Sequence, residues 1–129
     1  MNHEAKQSLL NFFGRVLDFS NKTLQELILH KFEDEETSQL SNDFLYEQIS
    51  VERDALRKLH IGADWCLTNE QILEFYRFVK NACYLSQLQY LCMPLPKLTN
   101  EEDLNLEYLT SVSEILGMAR QLQNFPISF

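Results

Sequence analysis

Apolar positions along this chain recur three and four residues apart for most of its length, the spacing that lines one face of an α-helix. The most apolar stretch runs from Thr68 to Cys92, TNEQILEFYRFVKNACYLSQLQYLC. Ile72, Phe75, Tyr76, Val79, Ala82 and Cys83 fall on one face, Phe78, Leu85 and Cys92 on a second, and Leu88 and Leu91 widen the apolar surface. Glu70, Glu74, Arg77 and Asn81 leave a single polar stripe. Thr68 and Gln71 make a capping box, and Leu67 can staple onto Ile72. The pattern predicts a central helix of about 24 residues, roughly 36 Å long, that several neighbours must cover.

The rest of the chain reads as further helices around it. A first helix is expected from His3 to Leu17, capped by Asn2, with Ala5, Leu9, Phe12, Phe13, Val16 and Leu17 along its apolar face. Asp18 to Asn21 signals a turn, and a second helix carrying Leu24, Leu27, Ile28 and Phe32 would form a hairpin with the first. The acidic run Glu33 to Glu36 opposes the dipole at its end. A third helical region carries Phe44, Leu45, Ile49, Leu56 and Leu59 up to Gly62, as one helix or as two pieces split near Ser50 and Val51. Met93-Pro94-Leu95-Pro96 turns the chain, and Thr99 with Glu102 offers a second capping box for a last helix whose one face, Leu104, Tyr108, Leu109, Val112, Ile115, Leu116, Ala119 and Leu122, stays apolar to about Gln123. The apolar tail 124–129 either packs back or docks elsewhere. No internal repeat and no low-complexity segment is read from the sequence.

Composition agrees with helices and narrows function. Of 129 residues 45% are hydrophobic, while Gly and Pro number three each, too few for a turn-rich β architecture. The expected fold is all-α: one domain, 1–129, a bundle of about five helices around the helix at 68–92. Lys and Arg number 11 against 19 Asp and Glu, a formal charge of -8, which argues against direct nucleic-acid binding and favours a partner with a basic surface. Three cysteines give no disulfide framework, and no signal peptide or apolar run long enough for a membrane is visible, so a cytoplasmic, membrane-free protein is expected. Homo-oligomerisation stays open.

Candidate chemistry is sparse. Arg53 and His60 in RDALRKLH stand seven residues apart, on one face if the segment is helical. These eight residues resemble the R-x(4–6)-H signature of HEPN ribonucleases, which would imply an all-α fold and attack on an RNA phosphodiester by Arg53 and His60. A solvated helix end whose basic residues complement the dipole accounts for the same residues and is preferred. Glu26 with His30 is half of a metal site without a second half. Cys66 has no neighbouring base, Cys83 reads as a small core residue, and Tyr76, Tyr84 and Tyr90 could line a cavity. No catalytic residue, cofactor or metal is assigned. The expected function is therefore a non-enzymatic interaction module: an inhibitor, an immunity or antitoxin-like factor, an adaptor or a chaperone. Glu33, Asp34, Glu35, Glu36, Glu101, Glu102 and Asp103 would meet the partner. The alternatives are the HEPN-like ribonuclease and a small-molecule-binding bundle.

Overall fold

The computed structural model describes residues 3–30, 38–62, 68–95 and 99–126. Helices and strands alternate: α1 (His3–Phe19), β1 (Glu26–Leu29), α2 (Ser38–Ser50), β2 (Lys58–Ile61), α3 (Asn69–Lys80), a 3₁₀ turn (Cys83–Gln87), β3 (Tyr90–Cys92) and α4 (Glu102–Met118). The strands form one parallel sheet in the order β1-β2-β3. The chain is thus mixed α/β, and the expected all-α five-helix bundle is wrong.

Each strand replaces a piece of expected helix. The second helix is β1, and the end of the third region is β2. The central helix stops at Lys80, half its expected length. Its capping box forms as read, with Gln71 N donating to Thr68 Oγ1 (3.2 Å) and Thr68 N to Gln71 Oε1 (2.9 Å). Asn81 then caps the last turn, Ala82 turns extended at φ -70°, ψ 127°, and the chain passes through the 3₁₀ turn into β3. The break after Ser50 is real: Ser50 Oγ donates back to the Tyr46 carbonyl at 2.9 Å, and the helix ends there. The second capping box does not form. Thr99 Oγ1 accepts from Glu101 N, Asn105 closes on Thr99 from both sides of its amide, and α4 starts at Glu102 without a side-chain cap.

Pairing in the sheet exposes an internal repeat that the linear pattern hides. Glu26, Lys58, Tyr90 and Asn124 are successive partners across the sheet, so the units are 32, 32 and 34 residues long. One hydrogen-bond arrangement recurs at each step. The Gln25 carbonyl accepts from Arg57 N and Lys58 N (2.8 and 3.0 Å), that of Arg57 from Gln89 N and Tyr90 N (2.7 and 3.1 Å), and that of Gln89 from Gln123 N and Asn124 N (2.9 and 3.1 Å). The apolar signature of the unit is L-x-x-L-x-L: Leu24, Leu27 and Leu29; Leu56, Leu59 and Ile61; Leu88, Leu91 and Met93; and, in the fourth, Leu122 and Phe125. These residues point to one side, where all are buried except the half-buried Leu24, Leu122 and Phe125. The expectation of no repeat is corrected accordingly.

Strand-helix-strand connections between neighbouring parallel strands are right-handed almost without exception, which puts α2 and α3 on the same face of the sheet. The helices pack in chain order, α1 on α2, α2 on α3 and α3 on α4. The molecule is therefore a short open solenoid with a strand layer and a helix layer, and its core lies between them. Phe75, Tyr76 and Val79 of α3, Leu45 and Ile49 of α2, and Tyr108 and Ile115 of α4 fill it. Tyr84 donates to the Ile49 carbonyl (2.7 Å) and Tyr76 to that of Pro94 (2.9 Å), so both phenols tie neighbouring units together. Cys83, expected in the core, is exposed.

Candidate functional site

Alternation along a strand puts residues two apart on the same face. With Leu27, Leu29, Leu59, Ile61 and Leu91 turned to the helices, Glu26 and Ile28 on β1, Lys58 and His60 on β2 and Tyr90 on β3 are turned the other way, with His30 just past the end of β1. Glu26, Ile28 and His30 are exposed there and Lys58, His60 and Tyr90 half-buried, while Ile28 and His30 also border a cleft against α1 and Cys92 at the end of β3 is buried. Parallel sheets are normally covered on both sides, so a face this exposed is unusual.

Side chains from neighbouring strands meet there. The His30 and His60 rings lie 5.9 Å apart, tilted by 49°, and the His60 and Tyr90 rings 6.1 Å apart at 14°, nearly parallel and offset. Tyr90 Oη is 3.4 Å from His60 Nδ1, a long contact whose donor depends on the imidazole tautomer. Lys58 Nζ sits 4.6 Å from the centre of the Tyr90 ring, within cation-π range. The result is an amphipathic strip across three strands. It holds a cation, two imidazoles and a phenol, with Ile28 exposed beside them.

The residues singled out in the sequence are dispersed. Glu33, Asp34, Glu35, Glu36 and Cys66 lie outside the described residues. Glu101, Glu102 and Asp103 are exposed at the start of α4, where carboxylates favour the dipole. Arg53 and His60 share no helix face: Arg53 is enclosed after α2 and bound to Gln48, whereas His60 stands on the partly exposed strand face. Glu26 and His30 do fall on one face, that of a strand. Among the described residues no three His, Cys, Asp or Glu side chains gather as a metal site would need. Burial pushes the Cys92 thiol up, away from the thiolate that nucleophilic chemistry needs. Tyr76 and Tyr84 are core residues, and only Tyr90 reaches the partly exposed face.

Two clefts flank the first helix. A polar one of about 490 Å³ between α1 and α2 is lined by Gln7, Asn11, Arg15, Asp18, Glu47 and Gln48, among others. A more apolar one of about 260 Å³ lies between α1 and β1, with Phe13, Leu17, Ile28 and Phe44 in its wall. Reading residues one helix at a time missed the strip, because His30, His60 and Tyr90 come together only through strand pairing at the 32-residue period. No protein-family model matches the chain, and searches of curated proteins and of solved structures also gave no match.

Proposed function

We propose that this chain is a non-enzymatic acidic interaction module that docks a partner protein on the partly exposed face of its sheet. The observation that carries the reading is a parallel sheet that, among the described residues, is partly exposed on one side and furnished there with a connected strip of Lys58, His60, His30 and Tyr90 beside Ile28. Solenoids bind through the continuous surface that their repeats build, and aromatic residues beside a cation are the usual anchors of such contacts. The formal charge of -8 favours a partner with a basic surface and speeds encounter with it. Glu101, Glu102 and Asp103, with the run Glu33 to Glu36, are the charges assigned to that steering.

The polar cleft between α1 and α2 is of ligand size, but its many polar walls suit a small apolar molecule poorly. No observation favours the ribonuclease reading, since the Arg53 guanidinium is enclosed by protein.

The test compares three immobilised forms of the chain in extracts of its source cells. Ile28→Asp with Tyr90→Ala should lose a protein that wild type and Arg77→Ala both retain. With that protein purified, replacing Glu33, Asp34, Glu35 and Glu36 by Ser or Gln should slow association and flatten its salt dependence. If every retained protein binds the strand-face variant as well as wild type, the docking surface lies elsewhere.

A further inference from the structure

Among the described residues, the large apolar side chains that stand exposed are confined to α1, β1 and α4, the first and last elements of the stack. On α1 they are Phe12 at 59%, Val16 at 49% and Phe19 at 95% exposed, spaced four and three residues apart. On α4 they are Leu106 at 64%, Leu109 at 54%, Leu116 at 36% and, on another side of the helix, Met118 at 45%; Leu106, Leu109 and Leu116, with Ser113 between them, are spaced three, four, three. Both are seams of the kind by which one helix packs along another. Phe12 and Phe19 of α1 and the α4 seam face away from the molecule's own core, which α1 meets through Leu10, Phe13 and Leu17 and α4 through Tyr108 and Ile115, while Val16 borders the cleft against β1.

We propose that the chain stacks end to end on a second copy of itself, with the outward seam of α4 in one copy lying against the outward seam of α1 in the next. The geometry comes from the molecule's own rule: α1 packs on α2, α2 on α3 and α3 on α4, so α4 on a following α1 continues the helix layer by the same step. Shape agrees with this. Ser113 and Gly117 leave the α4 surface low beside Leu116, and a Cβ added at Gly117 would meet no atom within 4 Å, so a phenylalanine ring has room there. The phenylalanines are on α1 and the small residues Ser113 and Gly117 on α4, which favours the head-to-tail arrangement over α4 on α4. Short seams make the association weak, so it rises with protein concentration. A head-to-tail contact leaves a free end on each copy and does not close on itself by symmetry.

Sedimentation from low micromolar to near-millimolar protein tests the proposal. The weight-average mass of wild type should climb from the 15.2 kDa of one chain towards multiples of it. Phe12→Glu with Phe19→Glu blocks the α1 end and Leu109→Glu the α4 end. All three side chains are exposed, so both variants should keep the wild-type circular dichroism spectrum, and each alone should stay at one chain. Mixed together, the two variants should form a pair of twice the mass that grows no further, because each supplies the end that the other lacks. A wild type that stays monomeric throughout, a single variant that associates as wild type does, or a mixture that stays monomeric would each overturn the proposal.

Discussion

Arg53 is 1% exposed, and of its guanidinium nitrogens only Nη2 finds acceptors, the Gln48 carbonyl at 3.2 Å and Gln48 Oε1 at 2.9 Å. Nε and Nη1 are buried without partners, and burial lowers the pKa of the group, opposed by Tyr84 and Asp18. A buried charge held this way stabilises little by itself and is expensive to strand. Gln48→Leu alone should therefore destabilise the protein by about 3 kcal/mol or more, and adding Arg53→Met should recover most of that loss. Denaturant midpoints of the two single variants and the double variant check it. If the double variant loses the sum of the two single losses, the residues are not coupled. In the sequence Arg53 reads as a solvated helix-end residue beside Leu56 and Lys58. Its enclosure arises because the chain leaves α2 there and turns inward, with Gln87 Nε2 bonding the carbonyls of Arg53, Asp54 and Leu56.

At the scale of elements, α3 was the most legible part of the chain. Its capping box is local chemistry, and its inward face, Ile72, Phe75, Tyr76 and Val79, is the one that the periodicity indicates. Val79 is fully enclosed and Arg77 exposed, so Val79→Asp should destabilise by about 3 kcal/mol or more, while Arg77→Ala should stay within about 1 kcal/mol. Equal effects in thermal or denaturant unfolding would mean that the helix is rotated. The terminal helices were legible as helices and misread in rotation. Ala5, Phe12 and Val16, expected to face the core, are exposed on α1, while Lys6 and Leu10 are buried. On α4, Leu109 and Leu116 are likewise turned outward. A helix with apolar residues on two sides does not state which side its own chain covers.

At the scale of the whole molecule, the tyrosines act as ties between units, and the ties are sensitive to alkali. Burial raises the pKa values of Tyr76 and Tyr84, and burial with the nearby Glu74 and Asp43 carboxylates pushes that of Tyr46 up to about 12. The unfolded chain gives up these protons near the ordinary value of about 10, and the folded chain holds them longer. The stability these groups contribute is thus fully present below about pH 10 and falls as pH rises towards 12. Denaturant midpoints measured from neutral to alkaline pH should show this decline, and Tyr46→Phe should make it shallower. A decline of unchanged steepness in Tyr46→Phe would remove Tyr46 from the account.

What the sequence determined by itself is whatever depends on residues within a turn or two of each other. That covers α1, the Thr68 cap and inward face of α3, the body of α4 and the strongly acidic charge, whereas a break at Ser50 was left open between one helix and two. The strands could not be had that way. LQELIL and LRKLHI are rich in leucine, which is at home in helices, and their L-x-x-L-x-L spacing starts with the three-residue step of a helix. Strands of three or four residues are also too short to outvote a periodicity that needs eleven or more to be measured. Only pairing across 32 residues, where the Gln25, Arg57 and Gln89 carbonyls each receive two N–H groups from the next unit, makes the extended form the better one. That same pairing assembles His30, His60 and Tyr90 into one strip and turns the apolar seams of α1 and α4 to the two ends, because neither arrangement exists until the units stack.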